Sequence, residues 1–545
     1  MPDKKNYHFL FTYLPLWGHT RSCCVLAARM AKEHRNLTVT LFLPPTFIKQ
    51  AEAEVLAELS YGDEVKEVLQ DLRRRVRIVV LYKSSSMDLM EQMTSMFEAY
   101  PATYKTLVDG EPVTCASTGR VFEGVGAPDI VFLDVFASPL MAITRTVTGL
   151  SVPIIGFIPV HASYALHICL PAHMGGLGDL GVMIEDEARR LGVTSREIGD
   201  TVYYRTEGRI NKIPGLPAMY DWEHFPQVLV TSGSTAIISD LIKLAVQGIK
   251  DCTAGFSLTP YDFEPESVDT LRSWFVDDWK KELYVVGPLL ASKPTRFGVT
   301  DGTSALGADV SSTESPEVQR FLDNAMQEYG KNSVVLISFG SIFWPTVNEY
   351  IDEVLEALIE KKFPFILSCA SPFAHIAAEV LEKITASKCG LVSKWVPQKF
   401  VLDHPATGWF ISHAGQSGVH ESLDSGVPMI CWPFEFDQPL ASAHLTQNLN
   451  AAFELVEVRT GEAGLKPILS LGGRAPKGTR AAVGAEMRAV LDACRGPEGE
   501  EKRRNMEELR RKVRGAWGRY VKGRSRRDFE AFLEKFGFDL DEVDV

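Results

Sequence analysis

Residues 392–438 read VSKWVPQKFVLDHPATGWFISHAGQSGVHESLDSGVPMICWPFEFDQ. The apolar run that ends just before His413 predicts a buried strand, and the small residues 414–418 predict a turn that opens a helix. A second apolar run, 429–432, predicts the next strand. A strand, a turn, a helix and a second strand in this order indicate one unit of a parallel α/β sheet.

Polar and aromatic side chains accompany this unit in an order that suits a nucleotide-sugar. Trp395 offers a flat face to a base. The first N–H groups of the helix after His413 have no internal partner and carry partial positive charge, which favours a pyrophosphate. Asp437 and Gln438 supply a carboxylate and an amide for sugar hydroxyls. Taken alone, the turn is more typical of an ordinary strand-to-helix junction in an α/β domain.

The same segment resembles the signature box of the family 1 UDP-dependent glycosyltransferases, W-x-P-Q … H-x-G … E … D-Q. Other landmarks of that family follow in the expected order over almost the whole chain. They are PLWGH at 15–19, PDIVFLD at 128–134, IPGLP at 213–217, VGPL at 286–289 and SFGS at 338–341. The resemblance implies the GT-B fold, an α/β architecture of two doubly wound Rossmann-like domains that face each other across a cleft.

The resemblance also implies roles for individual residues. The donor-binding residues are Trp395 and Val396 for the base, Gln398 and Glu421 for the ribose, Ser341, His413, Ser417 and Gly418 for the pyrophosphate, and Asp437 and Gln438 for the sugar. Gly415 belongs to the same turn, and Gln416 stands where plant members carry a Trp near the sugar. This departure leaves the donor sugar open, but Asp437 and Gln438 favour glucose. We therefore expect UDP-glucose as co-substrate and no bound cofactor.

Two residues of the N-terminal half are candidates for the chemistry. His19 follows the first predicted strand, at the end where doubly wound sheets place their ligands, and an imidazole can take a proton from a hydroxyl. Asp134 ends another strand of that sheet and is placed to hold the ring. The resemblance implies the same catalytic pair and a single displacement that yields a β-glycoside. No Asp-x-Asp motif lies near the box, so we expect no metal.

The acceptor pocket is expected in the N-terminal half. Side chains that suit its wall are Trp17, Met90, Met93, Phe97, His161 and Tyr164. Met and aromatic groups make adaptable apolar walls, so the expected acceptor is an apolar molecule with a hydroxyl, such as a phenol, terpenoid, sterol or lipid. The Met series, which begins at Met87, fits a packed core equally well.

The chain contains two successive series of alternating strand and helix patterns, which predicts two domains. The predicted parts are an acceptor-binding domain at 1–291, a linker at 292–315, a UDP-sugar-binding domain at 316–499, and helices at 500–545 that pack back on the first domain. The basic residues of this last part alternate with apolar residues at helical spacing. They indicate a solvated helix face more than a nucleic-acid patch.

Composition narrows the classes of protein that remain possible. The 545 residues carry a net charge of −13, which argues against general nucleic-acid binding. Nine cysteines without paired spacing indicate a reduced compartment, and the strand that begins near Tyr7 leaves no room for a signal peptide. The uncharged stretch 146–178 is interrupted by prolines, which argues against a membrane helix. We expect a cytoplasmic monomer whose partners are a UDP-sugar and a small acceptor.

Two other functions stay open at this point. A nucleotide-sugar epimerase or hydrolase of the same architecture would act without an acceptor, and a silent binder would hold a UDP-sugar without turnover. The turn at 15–19 and Trp395 favour a transferase over the first. His19 and Asp134 favour it over the second, but the altered turn at 416–418 keeps the binder in consideration.

Overall fold

The computed structural model of the chain describes residues 5–59, 66–86, 88–229, 237–291, 316–519 and 521–540. The predicted linker, 292–315, and Met87 lie outside these residues. Two separate parallel sheets, one from each half of the chain, organise the described part.

Seven strands of the first half form one parallel sheet in the order β11-β10-β7-β6-β1-β2-β3. The seven strands are β1 Tyr7–Thr12, β2 Leu37–Leu43, β3 Val76–Val80, β6 Ile130–Asp134, β7 Ile154–Ile158, β10 Ala254–Ser257 and β11 Leu283–Val285. Two short antiparallel pairs lie outside the sheet: β4 Val113–Thr114 with β5 Val121–Phe122, and β8 Ile210–Asn211 with β9 Met219–Tyr220. The sheet strands are apolar and buried on both faces, as parallel strands are. Chain order runs outward in both directions from β1 and β6, so the topological switch point lies between them.

Helices cover both faces of this sheet. They are α1 Trp17–Glu33, α2 Ile48–Leu59, α3 Lys66–Arg75, α4 Leu89–Val108, α5 Ser138–Thr148, α6 Ala162–Cys169, α7 Leu180–Leu191, α8 Ser195–Tyr203, α9 Ile237–Asp251 and α10 Pro265–Asp277. One face of the sheet packs a row of rings that includes Phe9, Phe132 and Phe256. The other face packs aliphatic groups such as Leu10 and Val131 against the remaining helices.

The second half repeats the architecture with six parallel strands in the order β14-β13-β12-β15-β16-β17. The strands are β12 Val334–Ser338, β13 Phe365–Ser368, β14 Gly390–Ser393, β15 Thr407–Ser412, β16 Met429–Cys431 and β17 Ala452–Glu454. The helices are α11 Pro316–Tyr329, α12 Asn348–Glu360, α13 Ala378–Ser387, α14 Gln398–Asp403, α15 Gln416–Ser425, α16 Gln438–Ala443, α17 Gly461–Gly464, α18 Arg480–Cys494, α19 Pro497–Arg514 and α20 Arg524–Lys535. Here the switch point lies between β12 and β15.

The last two helices belong to different domains. Helix α19 buries Met506 and Val513 in the core of the second domain and lies beside α15. Helix α20 instead packs Phe529 and Phe532 onto the ring-lined face of the first sheet. The predicted boundary at residue 500 therefore falls inside α19, and the return to the first domain begins only after Arg514.

The uncharged stretch at 146–178 forms part of the first domain. It contains β7 and α6, a buried strand followed by a short buried helix. Across the described ranges, no helix is both long and apolar enough to cross a membrane.

Candidate active site

The first switch point brings His19 and Asp134 together. His19 lies in the first turn of α1, and Asp134 is the last residue of β6. Nδ1 of His19 is 2.6 Å from Oδ2 of Asp134, whose side chain is fully buried. A buried carboxylate in this position accepts a hydrogen bond from the Nδ1–H group. The lone pair of Nε2 is then available to take a proton from a substrate.

Backbone groups fix the carboxylate of Asp134. Oδ2 also accepts the N–H of Leu14 at 3.2 Å, and Oδ1 accepts the N–H of Phe136 at 3.0 Å. The ring of Phe136 meets the His19 ring edge-on at a centroid distance of 5.4 Å. The imidazole is therefore fixed by its contact with the Asp134 carboxylate and packs against the ring of Phe136.

The second switch point carries the glycine-rich turn. β15 ends at Ser412, Ala414 takes a left-handed φ of 65°, and Gly415 stands at the N-cap of α15. A Cβ at Gly415 would lie 2.7 Å from Nε2 of His413, so only glycine leaves room for that ring. Burial lowers the pKa of His413 to about 4, so at neutral pH this side chain can donate one hydrogen bond but carries no charge.

The two residues expected at the ribose form a hydrogen-bonded pair. Nε2 of Gln398 donates to Oε2 of Glu421 at 2.5 Å. The other oxygen of Glu421 accepts Nη1 of Arg21, a residue of α1 in the opposite domain. Nε of Arg21 also donates to Glu54 at 2.8 Å. Sequence reasoning missed Arg21 because an arginine two residues after His19 gives no signal of a partner in the other domain.

The two residues expected at the sugar lie where β16 turns into α16. Oε1 of Gln438 accepts the N–H groups of Phe434 and Glu435 at 2.9 and 3.2 Å, which closes this turn. Phe436, between them, has a left-handed φ of 61°. Asp437 is 6 % exposed, and burial raises the pKa of its carboxyl.

The remaining donor residues are less enclosed. The indole of Trp395 is 41 % exposed, while the Val396 side chain is buried in the core of the second domain. Ser341 is exposed in the loop after β12. The Oγ of Ser417 donates to the carbonyl of Gly18 at 3.3 Å, so the start of α15 touches the residue before His19.

The candidate acceptor residues fall into two groups. Trp17 is half-buried with its ring 5.6 Å from Phe47, Met90 is exposed, and Phe97 is half-buried. Met93, His161 and Tyr164 are buried. Met93 lies in the core of the first domain, which is what the packed-core alternative describes.

His161 lies at the border of the two domains. It is fully buried between Glu264 of its own domain and Asp437 of the other. Tyr164, one turn further on, meets the ring of Phe436 edge-on at 6.4 Å. Among the described residues, no group of three His, Cys, Asp or Glu side chains is arranged to hold a metal ion.

Comparison with known proteins identifies the family that this chain resembles. The family model described as "UDP-glucoronosyl and UDP-glucosyl transferase" matches residues 306–469. The chain is 26 % identical to the UDP-glycosyltransferase eriJ of Hericium erinaceus over 94 % of this chain and 96 % of that one. It is 35 % identical to 7-deoxyloganetin glucosyltransferase of Gardenia jasminoides over 48 % of this chain and 52 % of that one.

The fold is shared with solved structures. The structure of UGT71G1 from Medicago truncatula, complexed with UDP-glucose, superposes with a TM-score of 0.64 at 18 % identity, covering 97 % of this chain and 98 % of that one. The predicted architecture of two doubly wound domains is confirmed.

Proposed function

This chain belongs to the family 1 UDP-dependent glycosyltransferases, and we propose that it moves a hexose, with glucose as the first candidate, to a hydroxyl of a small apolar acceptor. Relatives named as acting on small molecules such as anthocyanidin and 7-deoxyloganetin support an acceptor of this class. The donor site of the second domain and the base of the first domain would then work on opposite sides of one anomeric carbon.

One observation carries the proposal. His19 contacts Asp134 at 2.6 Å, and the residue before it, Gly18, accepts a hydrogen bond from Ser417 at the start of α15 at 3.3 Å. A general base and an anion-binding helix start are therefore next to each other across the cleft. A transferase needs that juxtaposition, because the proton leaves the acceptor on one side while negative charge develops on UDP on the other.

The proposed step is a single displacement. Nε2 of His19 takes the proton of the acceptor hydroxyl, the acceptor oxygen forms the new bond to the anomeric carbon, and the bond from that carbon to the β-phosphate oxygen breaks. UDP leaves with the bonding electrons. The N–H groups at the start of α15 and the neutral ring of His413 stabilise its charge. Attack opposite to the leaving group inverts the anomeric configuration.

The test measures UDP release and product mass with several donors and a panel of phenols, terpenoid alcohols and sterols. UDP-glucose, UDP-galactose and UDP-glucuronate compare the sugars. Acceptor-dependent UDP release with a matching mass gain, lost in His19→Ala and kept in His375→Ala, is expected, since His375 is exposed on the second domain. UDP release that needs no acceptor and survives His19→Ala would refute a transferase mechanism based on His19.

A further inference from the structure

A buried histidine joins the two domains beside the proposed sugar site. His161 follows β7 and is fully buried. Its Nδ1 lies 3.2 Å from Oε1 of Glu264, and its Nε2 lies 3.9 Å from Oδ2 of Asp437. Its backbone N–H points at the same oxygen of Asp437 at 3.4 Å. His161 of the first domain thus faces the carboxylate of Asp437, the proposed sugar ligand of the second domain, with both its ring and its backbone N–H.

This geometry suits a protonated imidazole. Neither ring nitrogen makes an aligned hydrogen bond, but two carboxylates lie 3.2 and 3.9 Å from the ring, and their negative charge favours the protonated form. Glu264 is held in place because its other oxygen accepts the N–H of Ser163 at 2.8 Å. Burial opposes a charge on His161, but Glu264 and Asp437 outweigh it, so the pKa of His161 is raised.

The other titratable groups around His161 do not compete for that role. The ring of His420, on α15, stands edge-on to His161 at 5.9 Å, and burial lowers its pKa well below the usual value. His444, in the turn after α16, meets the carbonyl of Phe263 through Nε2 at 2.6 Å, and burial lowers its pKa as well. His161 is therefore the cation of a group that contains two carboxylates and two neutral imidazoles.

We propose that His161 is a positioning residue for the donor sugar: held by Glu264, it keeps the carboxylate of Asp437 ionised and turned toward the sugar hydroxyls. This inference rests on the proposed function, because it takes Asp437 as a sugar ligand. An ionised carboxylate accepts hydrogen bonds from hydroxyls, and a protonated one loses part of that capacity. Recognition of the sugar, but not of UDP, then depends on the first domain lying against the second.

The test distinguishes binding of the donor sugar from binding of the nucleotide. Titration calorimetry gives the Kd of UDP and of UDP-glucose for wild type, His161→Gln and Glu264→Gln, with His375→Gln as a surface control and steady-state kinetics alongside. We expect His161→Gln to weaken UDP-glucose and raise its KM by about tenfold or more while the Kd of UDP changes less than about twofold. His161→Lys, which restores the cation, should recover part of the loss.

The pH profile gives a second measure. In wild type, the preference for UDP-glucose over UDP should fall as pH rises and His161 loses its proton. In His161→Gln the preference should be low and independent of pH over the same range. If His161→Gln does not fold, Glu264→Gln is expected to shift the wild-type profile to lower pH, because it removes one of the two carboxylates that hold the proton.

The outcomes distinguish this inference from the function beneath it. A wild type that transfers sugar, with a preference that survives both variants at every pH, would overturn the inference alone. Equal weakening of UDP and UDP-glucose would also overturn it, since that result reports a general distortion of the cleft. A wild type that transfers no sugar from any donor would refute the proposed function and the inference together.

Discussion

Replacing Asp134 with Asn is expected to remove most of the catalysis while leaving the donor site intact. Asp134 accepts three hydrogen bonds, from His19, Leu14 and Phe136, and an amide has only one oxygen to offer. In one orientation the amide nitrogen replaces Oδ2, opposes the N–H of Leu14 and donates to Nδ1 of His19. The imidazole proton then moves to Nε2, where the base has no lone pair for the substrate.

The opposite orientation preserves the bond to His19 but sets the amide nitrogen against the N–H of Phe136. The hydrogen bond from Phe136 to Asp134 is 3.0 Å long, and the one from Leu14 is 3.2 Å long. The first orientation loses only the longer of the two, so we expect it to be preferred. A buried donor left without an acceptor costs about 1–3 kcal/mol, so the variant should also melt at a lower temperature than wild type.

The rate loss combines two effects. A charge-assisted hydrogen bond to the imidazolium contributes about 1.5–3 kcal/mol, or roughly 10- to 150-fold, and confinement to the wrong tautomer adds to it. The corresponding Asp→Asn change in a Ser-His-Asp protease lowers kcat by a factor on the order of 10⁴. We expect a decrease in kcat on the order of 10³ here.

The assay compares kcat from acceptor-dependent UDP release, the Kd of UDP from calorimetry, and the melting temperature. Asp186→Asn serves as the matched control, because Asp186 is an exposed partner in a surface ion pair with Arg189. The reasoning would be refuted if folded Asp134→Asn kept more than a tenth of the wild-type kcat.

Three further predictions concern binding and stability. Trp395→Ala should weaken UDP by about 1–3 kcal/mol, the usual loss when a base loses its aromatic platform, with little change in melting temperature because the ring is 41 % exposed; unchanged calorimetric affinity would contradict stacking. Gly415→Ala should displace His413 and weaken UDP, whereas Gly496→Ala, whose new methyl meets nothing nearer than 3.6 Å, should not; equal affinities in the two variants would argue against the turn as a phosphate site. Burial raises the pKa of Glu435 from 4.5 to about 8, so the folded state holds an extra proton between these values and loses stability as pH rises through that window. Glu435→Gln cannot ionise, so its melting temperature relative to wild type should increase from pH 5 to pH 8, and a constant difference would contradict the shift.

Much of the fold could be predicted because parallel strands leave a strong local signal. The run 7–13 is mostly apolar and aromatic, and the structure forms a buried strand over Tyr7–Thr12. Element ends were harder to place. The first helix begins at Trp17, inside the PLWGH landmark, and Leu16 at its N-cap makes no side-chain hydrogen bond that the sequence could have indicated.

Candidate site residues could be named from the sequence where they belong to a known motif, and the structure brings two of them, Gln398 and Glu421, into contact. The contacts between domains were not predictable in this way. Arg21 reaches Glu421, and His161 reaches Asp437, across hundreds of residues, and neither pair has a fixed spacing. Such contacts depend on how the two sheets face each other, which local hydrophobic periodicity does not encode.

The position of α20 has a consequence for synthesis on the ribosome. Phe532 covers the same sheet face as Phe132 and Phe256, with ring centroids 5.9 and 4.8 Å away, yet the whole second domain is translated between Phe256 and this cover. At about 5–20 residues per second, the nascent first domain waits roughly 15 to 60 s with aromatic rings exposed. During that interval the aromatic face of the first sheet lacks its α20 cover, and chaperones that bind apolar segments would have time to bind it.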